Sequence, residues 1–451
     1  MNNTRLPDNI FGLDYERIRR GWYTDKYFIN AADILSELAR EGYTFAGKSP
    51  DEFEEKDLTV TDVQVGELPV VMQLFTRREP FSLVAGTDRA IAIYRNCAGH
   101  LRADGGFVPT DDTLEIESLH DGERVVPWEP VMHVRGVYRD LAALETPVLG
   151  VLTRGTKVAT NVYLALEAAK GKPIFFFPAR YDIPEAQAAD GYAYKVAVDT
   201  YNREHRANLP LLISTDAQGE WWGGAGGGTV SHSYLLCFLK DTAEAMLHFA
   251  RFMPPETKRV ALVDVNNDCI GDSIAAASKL FHRHMALIDE GRSDEAEKYV
   301  LYGVRPDTAA NMFDIAVSRD EAFNEEDRGV SPRLVRLLRQ ALDQAHLALD
   351  IPAKWQDRAE QYFRNIRIVA SCGFDPEQIA AFEQANVPVD IYGVGSYFLS
   401  GESNDYTADI VAVKIHDSWV NFAKEGRRFI KSQRLKKVEL VRNTTARRSL
   451  T

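Results

Sequence analysis

The stretch IRIVASCGFDPEQIAAFEQANVPVDIYGVGS, Ile366–Ser396, holds one complete strand–helix–strand unit. Ile366–Ala370 is a short apolar run ending in Ser371-Cys-Gly373. Pro376–Gln384 is a helical stretch, and Val389–Tyr392 is a second apolar run ending in Gly393-Val-Gly-Ser396. Two apolar runs joined through a helix read as parallel strands with a crossover. Both spill at their C-terminal ends into polar, glycine-bearing turns. β/α barrels place their chemistry there, and two neighbouring turns of this kind can present backbone N–H groups to one phosphate.

The same alternation extends upstream. Strand-like runs at Ile174–Phe177, Leu211–Ser214, Val260–Val265 and Tyr299–Val304 alternate with helical stretches at Val158–Ala169, Ser231–Phe252, Asp272–Asp289 and Pro332–Ala348. Together these imply an α/β chain with an irregular β/α barrel of about six strands over residues 141–400. Residues 1–140 lack the alternation: a helical stretch at Ala31–Glu41 is followed by strand-like runs at Leu68–Phe75, Leu114–Leu119 and Val131–Val137, which reads as an α+β domain. Strand character returns at Ile410–Ile415, so residues 401–451 are expected to rejoin that first domain. Asp320–Gly329, acidic and poor in apolar residues, reads as a surface loop or lid.

Several strand ends carry chemistry. Val304-Arg-Pro-Asp-Thr308 sets a guanidinium, a carboxylate and a hydroxyl together; Arg305 can fork onto phosphate oxygens and Asp307 can accept both hydroxyls of a ribose. Phe177-Pro-Ala-Arg180 pairs a ring with a cation. Asp264-Val-Asn-Asn-Asp268 begins like a calcium loop, but Cys269 replaces its glycine and Ala275 its bidentate glutamate; Asp264 and Asp268 remain candidates for holding magnesium through water. The glycine-rich Gly223–Gly228 fails as a nucleotide loop, since Thr229-Val230 stands where a Walker loop needs Lys-Ser/Thr and the glycine spacing fits no dinucleotide fingerprint. It leads instead into a helix that begins near His232, where the helix dipole favours a neutral, nucleophilic imidazole. His282 and His284, two residues apart on a helix, face different ways and read as structural.

Composition narrows the class. A net charge of −13 argues against general nucleic-acid binding. Basic residues do crowd the end of the chain, from Lys424 through Arg448, and read as a solvated hairpin or tail. The 4 cysteines form no C-x-x-C pair, which suits a reducing compartment. Neither a signal peptide nor a run long enough to cross a bilayer is evident, so a cytoplasmic protein without membrane partners is expected.

Taken in order, these pieces resemble the nicotinate phosphoribosyltransferase family, especially its archaeal-type branch, with nicotinamide phosphoribosyltransferase as a cousin. The resemblance runs from Thr24-Asp-Lys-Tyr27 through Phe81-Ser-Leu-Val-Ala-Gly86, Glu129-Pro-Val-Met-His-Val-Arg-Gly136, Glu145-Thr-Pro-Val-Leu149, Gly228-Thr-Val-Ser-His-Ser233 and Arg305-Pro-Asp-Thr308 to Val389-Asp-Ile-Tyr-Gly-Val-Gly-Ser396. It implies transfer of phosphoribosyl from phosphoribosyl pyrophosphate to nicotinate, giving nicotinate mononucleotide and pyrophosphate in NAD salvage. It also implies magnesium, ATP as co-substrate and a head-to-tail homodimer with shared sites. Under it, the partner's Tyr27 and this chain's Phe177 would sandwich the pyridine ring, with Arg180 facing its carboxylate. Arg305 would grip phosphate and Asp307 the ribose hydroxyls. The turns of Ser371, Gly373, Gly393, Gly395 and Ser396 would seat the 5′-phosphate, and His232 would match the histidine that ATP phosphorylates.

The chain departs from the family pattern at Val263–Asp268, at Asp307-Thr-Ala-Ala310 and at Ser371–Asp375. If Ser214-Thr-Asp216 matches the cousin's base-reading acid, Asp216 would favour an amide, so nicotinamide stands as the alternative base. Quinolinate is disfavoured because Arg180 is the chief cation in view for two carboxylates. A catalytically silent nucleotide-binding relative is the reading from outside the enzyme class.

Overall fold

The computed structural model describes residues 5–48, 53, 58–228, 230–319 and 322–440. The chain divides into two units, residues 1–160 with 402–451 and residues 161–401. The division falls inside one long helix, Glu145–Ala168, whose N-terminal part belongs to the first unit and whose end belongs to the second.

The strands of the two main sheets are numbered along the chain: β1 Pro69–Thr76, β2 Glu115–Ser118, β3 Pro130–Val137, β4 Ile174–Phe176, β5 Leu212–Ile213, β6 Val260–Leu262, β7 Gly303–Arg305, β8 Arg367–Ala370, β9 Ile391–Val394, β10 Tyr406–Ile415, β11 Ser418–Asn421 and β12 Lys436–Lys437.

The first unit is built on a six-stranded antiparallel sheet in the order β11-β10-β1-β3-β2-β12. Alternation along β1 decides its faces. Val70, Met72 and Leu74 point into a core with Ile116, Met132, Val134 and Val413, together with Ile91 and Val148 from flanking helices. Val71 lies on the other face with Val411 and Ala412, where Ala423 and Phe429 of the C-terminal segment cover it. The segment expected to return to the first domain does so as an interior strand, β10, paired with β1 from Val70 to Thr76. Much of the basic C-terminal stretch is held rather than merely solvated: Arg427 and Lys424 share Asp409, and Arg434 bridges Glu123 and Glu129. Arg442, Arg447 and Arg448 lie outside the described residues, as do Asp320 and Glu321 of the acidic loop.

The second unit is the barrel. Its six strands are all parallel, in the order β6-β7-β8-β9-β4-β5. The order is sequential except that β9 pairs back onto β4, which curls the sheet. Among the described residues, the edge strands β5 and β6 follow each other in the chain yet do not pair, so the barrel is open between them. Strand residues such as Phe176, Leu262, Val304 and Ile368 are fully buried, as a parallel sheet covered on both faces requires. Each such side chain contributes about 1.5–3 kcal/mol of burial.

One expectation fails. The helix predicted over Ser231–Phe252 is two helices, His232–Cys237 and Thr242–Phe252. Leu239 and Lys240 both take left-handed φ angles, +54° and +70°, and break the first helix. Asp241 then caps the second by accepting from the Glu244 N–H.

Candidate active site

Past the strand ends of the second unit, backbone hydrogen bonds continue and hold the outgoing loops in register. The Val263 N–H donates to Arg305 O, Ser371 N–H to Pro306 O and Phe177 N–H to Val394 O. At the open edge, Gly227 N–H donates to Ile213 O at 2.7 Å, laying the glycine-rich loop along β5. A Cβ on Gly226 would fall 2.7 Å from the Thr215 carbonyl carbon, and one on Gly219 would fall 2.0 Å from Gly224 O. The glycines therefore let the loop pack on the end of β5.

On this frame, β7 presents Arg305 and Asp307. The Arg305 guanidinium is largely buried, lies 3.4 Å from Asp307 Oδ2, and donates to Ser371 Oγ at 3.3 Å and to the Val230 carbonyl at 3.4 Å. Ser371 Oγ in turn donates to Asp307 Oδ1 at 2.6 Å. Arg305 Nε is buried without a partner. Burial pushes the guanidinium's pKa down, opposed by the charges of Asp307 and Asp264. A buried cation with an unpaired N–H, framed by hydroxyl and carboxylate, is a site for an anionic ligand.

Beside it, Asp264 follows β6 and accepts from His232 Nε2 at 2.9 Å. Asp264 is nearly buried while His232 is exposed. Burial raises the Asp264 pKa; the bond to His232 opposes that, and nearby Asp307 adds to it. Asp264 Oδ1 is buried with no partner. Residues 32 apart in sequence are thereby paired; with Asp264 ionised and the imidazole neutral, the bond assigns the proton to Nε2 and the lone pair to Nδ1. The neighbour that governs His232 is this carboxylate more than the helix it starts, which is only 6 residues long.

The aromatic wall comes from β4. Phe177 stacks on Phe175 (centroids 4.3 Å apart) and its ring lies 5.9 Å from the Arg305 guanidinium. Gly393 of β9 is buried, and a Cβ there would lie 2.7 Å from Phe177 Cε2. That glycine makes room for the ring. Gly395 and exposed Ser396 do leave the strand end. Cys372 and Gly373 are consecutive left-handed residues, φ +94° and +77°, beside Ser371. For a cysteine this backbone is strained, and it turns the loop sharply at the strand end.

Three candidates have other partners. Asp268 is the N-cap of helix Cys269–Asp289, accepting from the Gly271 N–H at 2.9 Å, and no hydrogen bond joins it to His232, Asp264 or Asp307. Asp216 accepts from the Gly226 N–H at 2.8 Å and so ties down the glycine loop. Tyr27 belongs to the first unit, where it is 64% exposed with its hydroxyl directed at Asp25. Sequence reading missed Tyr181, whose ring lies beside Gly395, and the Val230 carbonyl. Nothing in sequence marks a main-chain acceptor, but a tyrosine directly after Arg180 was visible.

The second unit is a parallel barrel open at one edge, and its strand ends gather a buried guanidinium, two carboxylates and a histidine. The solved nicotinate-nucleotide pyrophosphorylase from Pyrococcus furiosus superposes with a TM-score of 0.58 over 92% of this chain and 80% of that one, at 21% identity. Residues 57–155 match the model of the quinolinate phosphoribosyl transferase N-terminal domain. Two curated Mycobacterium tuberculosis proteins named nicotinate phosphoribosyltransferase are similar. PncB1 is 24% identical over 76% of this chain and 66% of its own length; pncB2 is 25% identical over 63% and 48%. The alignments thus span just under two thirds, and about half, of these relatives. The chain is thus similar to proteins named nicotinate phosphoribosyltransferase, and over residues 57–155 to the quinolinate phosphoribosyl transferase N-terminal domain. Among the described residues, no helix is long and apolar enough to cross a membrane.

Proposed function

We propose that this chain transfers the phosphoribosyl group of phosphoribosyl pyrophosphate to nicotinate, yielding nicotinate mononucleotide and pyrophosphate for NAD salvage. The observation that carries the reading is the Arg305–Asp307–Ser371 cluster beside the His232–Asp264 pair at the barrel's strand ends. Arg305 binds phosphate through its unpaired edge. Asp307, already oriented by Ser371 and Arg305, accepts the ribose hydroxyls and favours positive charge building at the anomeric carbon. Phe177 provides the plane against which the pyridine lies so that its nitrogen faces that carbon, and Arg180 meets the carboxylate. The partner's Tyr27 closes the second face in a homodimer. The Gly373, Gly395 and Ser396 turns seat the 5′-phosphate.

Among the described residues, no three acidic, histidine or cysteine side chains converge as a metal cage. Asp264 Oδ1, buried and unpartnered, still fits a magnesium ion that keeps most of its coordination in water and substrate oxygens. Held there, the ion would supply positive charge for the departing pyrophosphate. Asp268, engaged as a helix cap, stands outside that set. ATP coupling is assigned to His232: Nδ1 attacks the γ-phosphorus, ADP leaves, and Asp264 holds the Nε2 proton and stabilises the charged ring. Hydrolysis of the phosphohistidine then returns the ring and releases phosphate. Asp216, engaged by the Gly226 N–H, serves the glycine-rich loop and is given no part in reading the base.

The test is pyrophosphate release by the purified chain and by Arg305→Ala and Asp307→Ala. Both variants should keep the wild-type melting point and lose nearly all release at ordinary phosphoribosyl pyrophosphate concentrations. Wild-type rates in either would overturn the assignment of this cluster.

A further inference from the structure

Tyr181 lies outside the Arg305–Asp307–Ser371 cluster, yet its surroundings are specific. It ends the short turn Pro178–Tyr181 that follows β4, and is 48% exposed. A Cβ on Gly395 would lie 2.8 Å from Tyr181 Cε2 and 3.1 Å from Phe177 O, so the ring packs on the backbone that leads into Ser396. The Arg180 guanidinium donates to the Tyr181 hydroxyl at 3.4 Å and lies 5.4 Å from its ring centroid. An arginine side chain loses rotamer freedom on binding, so a neighbour that holds its planar fork before a ligand arrives removes part of the cost of binding.

We propose that Tyr181 is the positioning residue for base selection: its hydroxyl holds Arg180, its ring backs Gly395, and together they choose a planar ring bearing a carboxylate over one bearing an amide. The phenol oxygen accepts from Arg180 and keeps its own O–H to donate, so the pair offers two donors to one group. A carboxylate accepts both. A carboxamide accepts at one oxygen and turns its NH₂ toward a donor, which leaves polar groups unpaired. Because the same ring packs on Gly395, the base pocket and the proposed phosphate seat share a wall. This inference rests on the proposed transfer to nicotinate.

The experiment compares wild type, Tyr181→Phe and Tyr181→Ala in the full-length chain, reading kcat and KM separately for nicotinate, nicotinamide and phosphoribosyl pyrophosphate. Tyr181→Phe should raise the nicotinate KM by roughly five- to ten-fold, one hydrogen bond's worth. Its kcat, nicotinamide KM and phosphoribosyl pyrophosphate KM should stay within about two-fold. Tyr181→Ala should raise the phosphoribosyl pyrophosphate KM as well, and phenylalanine should rescue that second effect. An unchanged nicotinate KM in Tyr181→Phe, or equal changes for acid and amide, would overturn the role of Tyr181 while leaving the transferase reading standing. Wild type that uses neither base would overturn both. If the alanine variant fails to fold, Tyr181→Phe, which keeps the ring, decides.

Discussion

Replacing Gly393 with alanine tests whether the Phe177 ring is a fixed wall. The added methyl would sit 2.7 Å from Phe177 Cε2, 2.9 Å from Cδ2 and 3.1 Å from Ser371 Cβ. Ordinary carbon contacts are about 3.5–4.0 Å, so ring or strand must yield by about 1 Å. The ring has little room to recede, because Phe175 stacks behind it at 4.3 Å. The strand is no freer, because Gly393 is paired in register with Phe175 itself. Overpacking of this kind costs about 1–3 kcal/mol, and a shift of about 1 Å in a positioning group costs on the order of a hundred-fold in rate. The assay is thermal unfolding together with kcat/KM for nicotinate. The control is Gly150→Ala in helix Glu145–Ala168, where an added Cβ meets nothing within 4 Å and the helix should gain up to about 1 kcal/mol. Gly393→Ala with an unchanged melting point and unchanged kcat/KM would refute the reasoning: the ring would not be a fixed wall of the site.

Three more expectations can be checked directly. His232→Ala should abolish stimulation by ATP while leaving a slow ATP-independent transfer; persistent stimulation would place the phosphoryl acceptor elsewhere. Asp264→Asn should keep the fold but reduce ATP stimulation by at least ten-fold, since the amide cannot stabilise a charged His232; initial rates with and without ATP decide. The third concerns Glu145 in the first unit, pushed up to about 7 by burial and, secondarily, by Asp409. A carboxyl raised in the fold contributes stability that is complete below its ordinary value near 4.5 and lost as pH rises through about 7. Glu145→Gln should therefore be more stable than wild type near pH 8 by on the order of 3 kcal/mol relative to the difference near pH 4. Parallel stability curves for the two proteins would contradict it.

The barrel was legible in sequence because its strands are short apolar runs between amphipathic helices, and that periodicity survives without knowledge of partners. Closure of β9 onto β4 was not, since nothing local says which strand Ile391–Val394 pairs with. Arg305 and Asp307 could be found because they sit two residues apart at a strand end. The pairing of His232 with Asp264 depends on two loops meeting across the open edge, and only the fold brings them together. Gly393 was read as part of a phosphate turn, and the close approach of the Phe177 ring, from far upstream, has no sign in the local sequence. The break at Leu239–Lys240 was hidden for another reason: left-handed backbone at leucine and lysine has no compositional sign, although Asp241 ahead of Glu244 was a readable cap. Asp268 shows the converse, a carboxylate whose spacing suggested a metal and whose hydrogen bond belongs to a helix terminus.

The most direct test of the central claim is product formation from phosphoribosyl pyrophosphate and magnesium with nicotinate, nicotinamide or quinolinate, each with and without ATP. The account predicts nicotinate mononucleotide from nicotinate, faster with ATP, and little product from the other two. Turnover of nicotinamide in preference to nicotinate, or no turnover of any base despite nucleotide binding, would contradict it.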